Sequence, residues 1–188
     1  VFSGSMVVNQ LYYIRAYART SQGTFYSNEK TFTKSLWIGS TYAGGIIFYI
    51  DASGQHGLVC APSDQVGFQW QWGCYGTDIG GTSTAFGTGQ ANTNLILAGC
   101  STRPIAASVC DDLVLNGYSD WHLPSRDELQ LMYSDLHVQG IGGFSSNWYW
   151  SSSQLNPNLA WAMYFGNGFV SNYAKYYVSG RVRAVRAF

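Results

Sequence analysis

One segment of the sequence restricts the possible folds more than any other: residues 158–188, which read NLAWAMYFGNGFVSNYAKYYVSGRVRAVRAF. A fully buried strand is aliphatic, whereas a disordered tail is charged and poor in aromatic residues. This segment is neither, because its Tyr, Phe and Trp side chains are interspersed with Asn, Ser, Gly and Ala. It predicts ordered strands and turns that present a tyrosine-rich surface.

The composition of the whole chain favours an exported binding domain over a helical cytosolic enzyme. Its 188 residues include 22 glycines, 16% aromatic residues and only 11% charged residues, a mixture that suits loop-rich and strand-rich extracellular domains. The formal net charge is zero, which argues against general nucleic-acid binding. No apolar run approaches the roughly 20 residues that cross a bilayer, so we expect no membrane insertion by this part of the chain.

The N-terminal residues predict a β-hairpin. Residues 10–33 show the two-residue period of strands on both sides of a Ser-Gln-Gly turn. The strings LYYIRAYA and GTFYSNEKTFT resemble the last two strands of a bacterial fibronectin type III domain. We therefore divide the chain into a fibronectin-III-like C-terminal remnant, residues 1–34, and a ligand-binding domain, residues 35–188.

The next part of the chain predicts a second hairpin and a long loop region. The strings GGIIFYID and HGLVCAP, within residues 44–62, flank a short Ala-Ser-Gly-Gln turn. From Trp70 to Thr102 the sequence is dominated by Gly, Thr, Ser and Asn, which predicts a long glycine-rich loop region. A loop of this length is usually functional or pinned to the domain.

The four cysteines allow three pairings if all of them are oxidised. We expect a disulfide between Cys74 and Cys100, because they bracket the glycine-rich region and an exported protein permits the bond. Cys60 lies in an apolar strand and Cys110 on the core face of a helix, so both are expected to be free and buried. The four cysteines do not form the paired CxxC clusters of a zinc site.

Two helices are predicted after the loop region. In the first, apolar residues recur at i, i+3, i+4 and i+7 between Ala106 and Leu113, and Asn116-Gly117 is expected to end it. The second opens with a capping box, in which Ser125 caps the helix and Glu128 reaches back. Its predicted core face consists of Leu129, Met132, Tyr133 and Leu136.

Short strands are predicted at residues 148–153, 158–165 and 179–188, and this order of strands, helices and further strands is typical of an α+β fold. In the last strand, RVRAVRAF, we interpret Val182, Val185 and Phe188 as anchors. We expect its arginines to bond backbone carbonyls or acidic side chains. A cradle for a sulfate or carboxylate is the alternative, since guanidinium groups bind such anions in a bidentate manner.

Motifs for catalysis are missing from the sequence. GTGQAN lacks the third glycine of a dinucleotide-binding loop, and no GxSxG, HExxH or P-loop motif occurs. The three histidines are far apart and have no spaced partner: His56, His122 and His137. We therefore expect no enzymatic activity, no cofactor and no metal. If a calcium site of the lectin kind existed, its first candidates would be Asp78, Asp120 and Asp64.

Several strings together resemble the domain family at the C-terminus of the Legionella collagen-like adhesin, which is widespread in Bacteroidetes surface proteins. They are GGIIFYID, GLVCAPSDQ, WGCYGT, GYSDWHLPSRDELQLMY, YWSSS and RVRAVRAF, and they span about residues 38–188. The resemblance implies a C-type-lectin-like α+β fold with two helices, short antiparallel strands and a long glycine-rich loop region. WHLPSRDEL is also similar to a helix start in the formylglycine-generating enzyme, but no cysteine pair is placed as that catalyst would need.

The C-terminal part is also similar to the variable region of proteins diversified by retroelements, in the succession YWSSS, AW and RVRAVRAF. In such proteins a reverse transcriptase rewrites adenine positions of a C-type-lectin-like domain, so that Asn codons change to Tyr, Ser, Phe and other residues. The resemblance implies these ligand-binding residues: Leu155, Asn156, Asn158, Ala162, Tyr164, Asn167, Phe169, Ser171, Tyr173, Tyr176, Tyr177 and Ser179. An ordinary tyrosine-rich surface is the alternative interpretation.

Rigid aromatic side chains beside small polar ones are also the chemistry of an antibody paratope. We expect residues 155–179 to lie at the surface, on a scaffold whose fixed points are Trp150, Trp161 and RVRAVRAF. Binding energy should concentrate in a few aromatic side chains, which we take to be Tyr164, Phe169, Tyr173, Tyr176 and Tyr177.

These patterns predict a non-catalytic adhesin or receptor domain that binds a protein or glycan on another cell or surface. Its expected location is extracellular, on a bacterial outer surface or on a phage virion. One alternative is an adhesin for glycans or sulfated polysaccharides without diversification. Others are an enzyme of the formylglycine-generating type and a structural stalk or tip module without a ligand.

Overall fold

The computed structural model describes residues 6–8, 10–65, 70–178 and 180–188. The strands are β1 (Leu11–Ile14), β2 (Tyr17–Thr20), β3 (Gly23–Tyr26), β4 (Lys30–Thr33), β5 (Thr41–Tyr42), β6 (Gly45–Ile50), β7 (Gly57–Cys60), β8 (Trp148–Gln154), β9 (Leu159–Tyr164), β10 (Phe169–Ala174) and β11 (Val185–Ala187). The helices are α1 (Gly89–Gly99), α2 (Ala106–Asp111) and α3 (Arg126–Asp135), with a short 3-10 helix at His137–Gln139. Helices combined with antiparallel strands confirm the predicted α+β class.

The N-terminal strands form the predicted hairpin, but each arm is interrupted. β1 pairs with β4 and β2 pairs with β3, both antiparallel. Ser27 N donates to Ala16 O across the interruption, at 2.9 Å. Every residue of these four strands is exposed except Tyr12, which is half-buried. The hairpin therefore has apolar side chains on its surface that no described part of the chain covers.

A four-stranded antiparallel sheet in the order β11-β7-β6-β5 forms one layer of the domain. β6 and β7 are the second predicted hairpin, with Ile50 opposite Gly57. All residues of β7 are buried, as expected of a strand with neighbours on both edges. The closing strand was predicted at residues 179–188, but the observed strand β11 covers only the last part of this range, where Val185 pairs with Cys60.

The second sheet has the strand order β10-β9-β8. β8 and β9 confirm the strands predicted at 148–153 and 158–165. β10 is a strand that the sequence pattern does not predict, because it mixes polar and aromatic residues. Its backbone pairs with β9 along its whole length, from Phe169 opposite Tyr164 to Ala174 opposite Leu159.

Helix α1 lies within residues 70–102, so the prediction of a continuous loop there is wrong. The described part of the chain therefore has three α-helices instead of the two predicted. The start of α1 has no side-chain cap, and the helix buries two polar residues, Asn92 and Thr93. Asn92 Nδ2 donates to Ser83 O at 2.7 Å, and Thr93 Oγ1 accepts from Leu123 N at 3.0 Å. These contacts outside the helix compensate for the weak helix propensity of Asn and Thr.

Helix α2 ends at Asp111, which is earlier than the apolar spacing predicts. Asn116 and Gly117 do not end this helix. They are the central residues of a tight turn, with φ values of 54° and 85°, and Leu115 and Tyr118 pair across it. Asn-Gly is the preferred pair for a two-residue turn that needs positive φ at both positions.

Helix α3 begins with the predicted capping box. Glu128 N donates to Ser125 Oγ at 3.3 Å, and Ser125 N donates to Glu128 Oε2 at 2.8 Å. Leu129, Met132 and Leu136 are buried, which confirms the predicted core face, and Tyr133, the fourth predicted residue, is half-buried.

The Glu128 carboxylate also reaches the start of α1. Its Oε1 accepts from Gly87 N at 2.9 Å and from Gly89 N at 3.3 Å. One buried side chain therefore satisfies backbone donors at the N-termini of two helices, where a negative charge is favourable. Burial raises the pKa of Glu128, which reflects the cost of keeping this charge away from water.

Two buried clusters form the core. The larger contains Trp72, Trp121 and Trp150 between the two sheets and helices α1 and α2. The smaller lies beneath α3 and includes Phe48 and Phe165. Trp150 is thus a fixed point of the scaffold, as predicted. Trp161, the other predicted fixed tryptophan, is only half-buried, and the guanidinium of Arg126 lies 5.5 Å from its ring centroid.

The C-terminal arginines bond acids and backbone carbonyls, as predicted. Arg183 Nε donates to Asp64 Oδ1 at 2.8 Å, and its Nη1 donates to the carbonyls of Ala61 and Gly142. Its Nη2 lies 2.7 Å from the same Asp64 oxygen, at an angle that does not suit a hydrogen bond. Arg181 Nη1 donates to Asp64 Oδ2 at 3.0 Å. Asp64 therefore forms ion pairs with two guanidinium groups.

Arg186 points to the other side of the closing segment and forms a two-pronged pair with Asp120, at 2.6 and 2.9 Å. The guanidinium of Arg186 holds the pKa of Asp120 below its usual value. Val182 and Val185 are buried, which confirms them as anchors, and Phe188 is half-buried against Tyr42. The arginines thus stabilise the segment as structural side chains.

The cysteine predictions are confirmed. Cys74 and Cys100 form a disulfide with 5.6 Å between their Cα atoms, which pins the segment containing α1. Cys60 and Cys110 are free and buried. Burial raises the pKa of the Cys60 thiol to about 12 and that of Cys110 well above its usual value, so neither thiol has the thiolate character that reactivity requires.

Among the described helices, none has the length and apolar character needed to traverse a membrane.

The imidazole of His122 gives the domain a predictable dependence on acid. It is 4% exposed, and burial lowers its pKa from 6.5 to about 4. Between these two pH values the unfolded state binds more protons than the folded state, so the free energy of unfolding should fall as the pH decreases. A shift of this size corresponds to about 3 kcal/mol.

Urea unfolding at pH 7 and at about pH 4 measures this effect by comparing the wild type with His122→Gln. The variant lacks the titrating group, so its stability should fall less over this range. Because other groups also titrate, the relevant quantity is the difference between the two proteins. Parallel loss of stability in both would show that His122 is not responsible.

Candidate ligand-binding surface

The three-stranded sheet aligns aromatic residues in one row. Trp148 of β8 and Phe169 of β10 both lie opposite Tyr164 of β9. Residues directly opposite one another in antiparallel strands point to the same side of the sheet. Accordingly, the ring centroids of Trp148 and Tyr164 are 5.4 Å apart, and those of Trp148 and Phe169 are 6.2 Å apart. The row crosses the sheet at the end near the β9–β10 turn.

Two further tyrosines extend this row. The ring of Tyr173 lies edge-on to Trp148 with 4.6 Å between centroids, and Tyr177 stacks on Tyr173 at 5.5 Å. Phe169 is 59% exposed and Tyr177 is 40% exposed, whereas the other three rings are half-buried. We call these five residues the aromatic face: Trp148, Tyr164, Phe169, Tyr173 and Tyr177. It includes four of the five aromatic residues predicted to carry binding energy.

Ala162 is a correction to the predicted binding set. It is 2% exposed and belongs to the core. Ala162 and its partner Ser171 lie opposite each other between the Tyr164 and Tyr173 positions. Their small side chains leave room for the larger rings to meet above them. Ala162 therefore supports the aromatic face from below, and Ser171 is half-buried at its centre.

Tyr176 does not join the aromatic face. Its ring lies edge-on to Tyr75, with 4.9 Å between centroids, and both side chains are exposed. Tyr75 follows the disulfide-bonded Cys74 directly, so the disulfide holds one member of this pair. The predicted residue Ser179 lies outside the described residues.

The predicted asparagines occupy turns at the two ends of the β8–β9–β10 meander. Asn156 Oδ1 accepts from Asn158 N and Leu159 N, each at 2.9 Å. Asn167 Oδ1 accepts from Phe169 N at 3.0 Å. These side chains are exposed, but their oxygens stabilise the turns. Leu155, in the same turn as Asn156, is also exposed.

The aromatic face carries no formal charge. Within residues 155–178 the one ionisable side chain other than tyrosine is Lys175, and it is fully buried rather than part of the surface. Burial raises the pKa of Tyr173, so its phenol stays neutral at physiological pH. Contacts to this face must therefore come from ring surfaces, hydroxyl groups and backbone groups.

The three acids considered for calcium have other partners. Asp64 and Asp120 pair with different arginines, and Asp78 accepts a hydrogen bond from Gln154 Nε2. In the part of the chain that the structure describes, no group of three or more His, Cys, Asp or Glu side chains is arranged to hold a metal ion.

Two surface residues were missed by the sequence reasoning, Trp148 and Tyr75. The two-residue period of WYW places Trp148 on the same side of β8 as Trp150, and the sequence analysis assigned Trp148 no role. Trp148 is the first residue of the strand, where it packs against the edge of the core and stays half-buried. For Tyr75 the available signal was its position beside Cys74 in a glycine-rich loop.

Comparison with known proteins gives one positive result. No curated protein sequence matches the chain at a significant level. The family model described as "Lcl C-terminal domain" matches residues 62–186. This range contains all three α-helices, the three-stranded sheet and most of the closing segment, and it covers more than half of the chain. The chain therefore belongs to the Lcl C-terminal domain family.

Proposed function

We propose that this domain is a non-catalytic ligand-binding module of an adhesin or receptor, and that the aromatic face binds the ligand. The observation that carries the proposal is the continuous contact of five rings on one uncharged sheet surface. Two of these rings are exposed and three are half-buried, and contiguous apolar patches at a protein surface usually mark interaction sites. Membership in the Lcl C-terminal domain family supports a surface-associated, adhesin-like role.

The proposal extends to the fold family and the location. We assign the domain to the C-type-lectin-like folds, which fits its two antiparallel sheets, its helices and a disulfide-pinned segment. A disulfide between Cys74 and Cys100 also fits an extracellular protein of a bacterial surface. The N-terminal hairpin, with exposed residues on both sides, fits a fragment of a fibronectin-III-like sandwich.

We further propose that the aromatic face is diversified by a retroelement. Backbone pairing between β9 and β10 supports this, because the strands stay paired when the outward side chains change. The turn-forming roles of Asn156 and Asn167 oppose free variation at those two positions. Sequencing the DNA beside the gene tests the idea: a template repeat and a reverse-transcriptase gene support it, and their absence contradicts it.

The main alternative function is that of an adhesin for sulfated polysaccharides. Its anion-binding site would have to use the arginines of the closing segment, and their contacts argue against such a site. Arg183 and Arg186 already bond carboxylates and carbonyls, and Arg181 pairs with Asp64. Binding through an uncharged aromatic surface should depend little on salt, whereas binding to a polyanion weakens steeply as salt rises. Measuring affinity across salt concentrations therefore separates the two functions.

A double substitution of the most exposed rings tests the binding surface. Phe169→Ser with Tyr177→Ser should weaken binding at least about thirtyfold, because a few central aromatic side chains usually dominate the energy of an interface. The melting temperature should shift little, since both side chains are exposed. Affinities are measured for ligands identified by screening the wild type against arrays of glycans and of extracellular proteins.

The control variant replaces two aromatic residues that are at least as exposed but lie outside the aromatic face. Tyr13→Ser with Phe25→Ser changes the N-terminal hairpin, where both side chains lie at the surface. It should leave affinity unchanged. If the control weakens binding as much as the test variant, the hairpin binds the ligand and the proposed surface is wrong.

A further inference from the structure

The side chain of Lys175 has an unusual position for a lysine. It is fully buried, and its Nζ lies 4.6 Å from the centroid of the Trp72 ring. Nζ donates to Thr77 O at 2.8 Å and to Gln154 Oε1 at 2.6 Å. Buried lysines without a carboxylate partner are rare, and here the nearest group is a carboxamide.

The neighbours of the Gln154 carboxamide complete a reactive arrangement. Ile79 N donates to Gln154 Oε1 at 2.8 Å, so a second donor polarises the carbonyl. Gln154 Nε2 donates to Asp78 Oδ1, which places a carboxylate on the nitrogen that would have to leave. Because Nζ is 2.6 Å from Oε1, and a carbonyl bond is about 1.23 Å long, Nζ lies within about 3.8 Å of the carbonyl carbon.

We propose that Lys175 and Gln154 form an intramolecular isopeptide bond. The Nζ lone pair attacks Cδ of Gln154, and the Nζ–Cδ bond forms as the Cδ–Nε2 bond breaks. One proton passes from Nζ through the Asp78 carboxylate to Nε2, which leaves as ammonia. The products are a secondary amide and ammonia, and no oxidant, reductant or cofactor takes part.

Each neighbouring group has a defined role in this step. Burial lowers the pKa of Lys175 to about 8, so a useful fraction of the amine is neutral near physiological pH. The Ile79 N–H is aimed at the oxygen on which negative charge develops. Asp78 bonds the leaving nitrogen and is close enough for its charge to act on Lys175. The fixed geometry replaces a collision between two free molecules.

The bond would fasten the hairpin that carries the aromatic face. Gln154 is the last residue of β8, and Lys175 follows β10 directly. An amide between their side chains would close a covalent ring around residues 155–174, which include β9, β10 and both turns. The inference does not depend on ligand binding, so it stands or falls separately from the proposed function.

Mass spectrometry of the reduced wild-type protein tests the proposal. After incubation at about pH 9, where most Lys175 side chains should be neutral, the intact mass should be lower than the sequence mass by one ammonia molecule. Fragmentation of a digest should show the peptides containing residues 154 and 175 joined. An unchanged mass, or ammonia lost at another residue, would overturn the proposal without any variant being needed.

Variants of Lys175 and Asp78 test the role of each side chain in forming the bond. Lys175→Arg should keep the full sequence mass, whereas Lys30→Arg, on the exposed strand β4, should still lose ammonia. Asp78→Asn should slow bond formation roughly a hundredfold, as expected for loss of a general acid–base group. Bond formation at an unchanged rate in Asp78→Asn would overturn the proton route through this carboxylate.

Discussion

Replacing Arg183 by Met should lower the free energy of unfolding by about 4 kcal/mol. The guanidinium is fully buried and lies 4.0 Å above the Phe144 ring centroid. Its removal leaves Asp64 with a weaker partner and leaves the carbonyls of Ala61 and Gly142 without this donor. Breaking one side of a buried ion pair costs more than the pair itself contributes, because the remaining charge stays desolvated.

Arg181 provides a matched control, because it bonds the same carboxylate from a position 42% exposed. Arg181→Met should cost at most about 1 kcal/mol, as is usual for exposed ion pairs. Arg183→Lys should resemble Arg183→Met, since an ammonium group cannot reproduce the fork of donors. Urea unfolding measures all three variants, and equal losses for Arg181→Met and Arg183→Met would contradict this explanation.

Replacing Glu128 by Ala should destabilise the domain by about 3 to 5 kcal/mol, because it leaves buried backbone donors without an acceptor. The carboxylate accepts from the backbone of Gly87, Gly89 and Ser125, and each buried donor left unsatisfied costs about 1 to 3 kcal/mol. Both α1 and α3 lose the carboxylate that accepts hydrogen bonds from the backbone N–H groups at their N-termini. Thermal or urea unfolding gives the loss, and circular dichroism should show reduced helix content before the global transition.

Two variants distinguish this role from a general effect of charge. Asp127→Ala removes the neighbouring carboxylate from the same first turn and should cost only about 0.5 kcal/mol, since both its helix-dipole contribution and its partly exposed ion pair with Arg126 are small. Glu128→Gln keeps one acceptor oxygen and should cost less than Glu128→Ala. If Asp127→Ala is as damaging as Glu128→Ala, the contact to α1 is not the important feature.

Local patterns predicted those elements of the fold whose stability is encoded locally. The capping box of α3 and the apolar hairpin of β6 and β7 have their determinants within a few residues, and both were predicted correctly. Helix α1 was not predicted because its start is stabilised by Glu128, which is 39 residues away from Gly89 in the chain. No window of the α1 sequence contains that information.

The end of α2 shows how one pattern can have two meanings. Asn116-Gly117 ends many helices, but the same pair also forms the tight turn between two paired residues. The apolar spacing up to Leu113 favoured the first meaning. In the structure, the chain leaves the helix after Asp111, and the pair serves the turn instead.

The candidate surface was predictable in composition but not in its arrangement. The sequence pattern favoured aromatic residues at 164, 169, 173 and 177, and the structure brings them together around Trp148. Which residues meet across the sheet depends on the register between β9 and β10, and β10 was not recognised as a strand. Ala162 lies on the same side of β9 as Tyr164, and it was wrongly assigned to the surface because its burial depends on core contacts that are distant in the sequence.

The pairing of β11 with β7 has a consequence for protein synthesis. Val185 bonds into the sheet opposite Cys60, so a nascent chain cannot complete this sheet until both have left the ribosome. At about 5 to 20 residues per second, the apolar strand β7 waits roughly 6 to 25 s for its neighbour. During that time its free edge is open to pairing with other chains, so aggregation is most favoured before the last strand arrives.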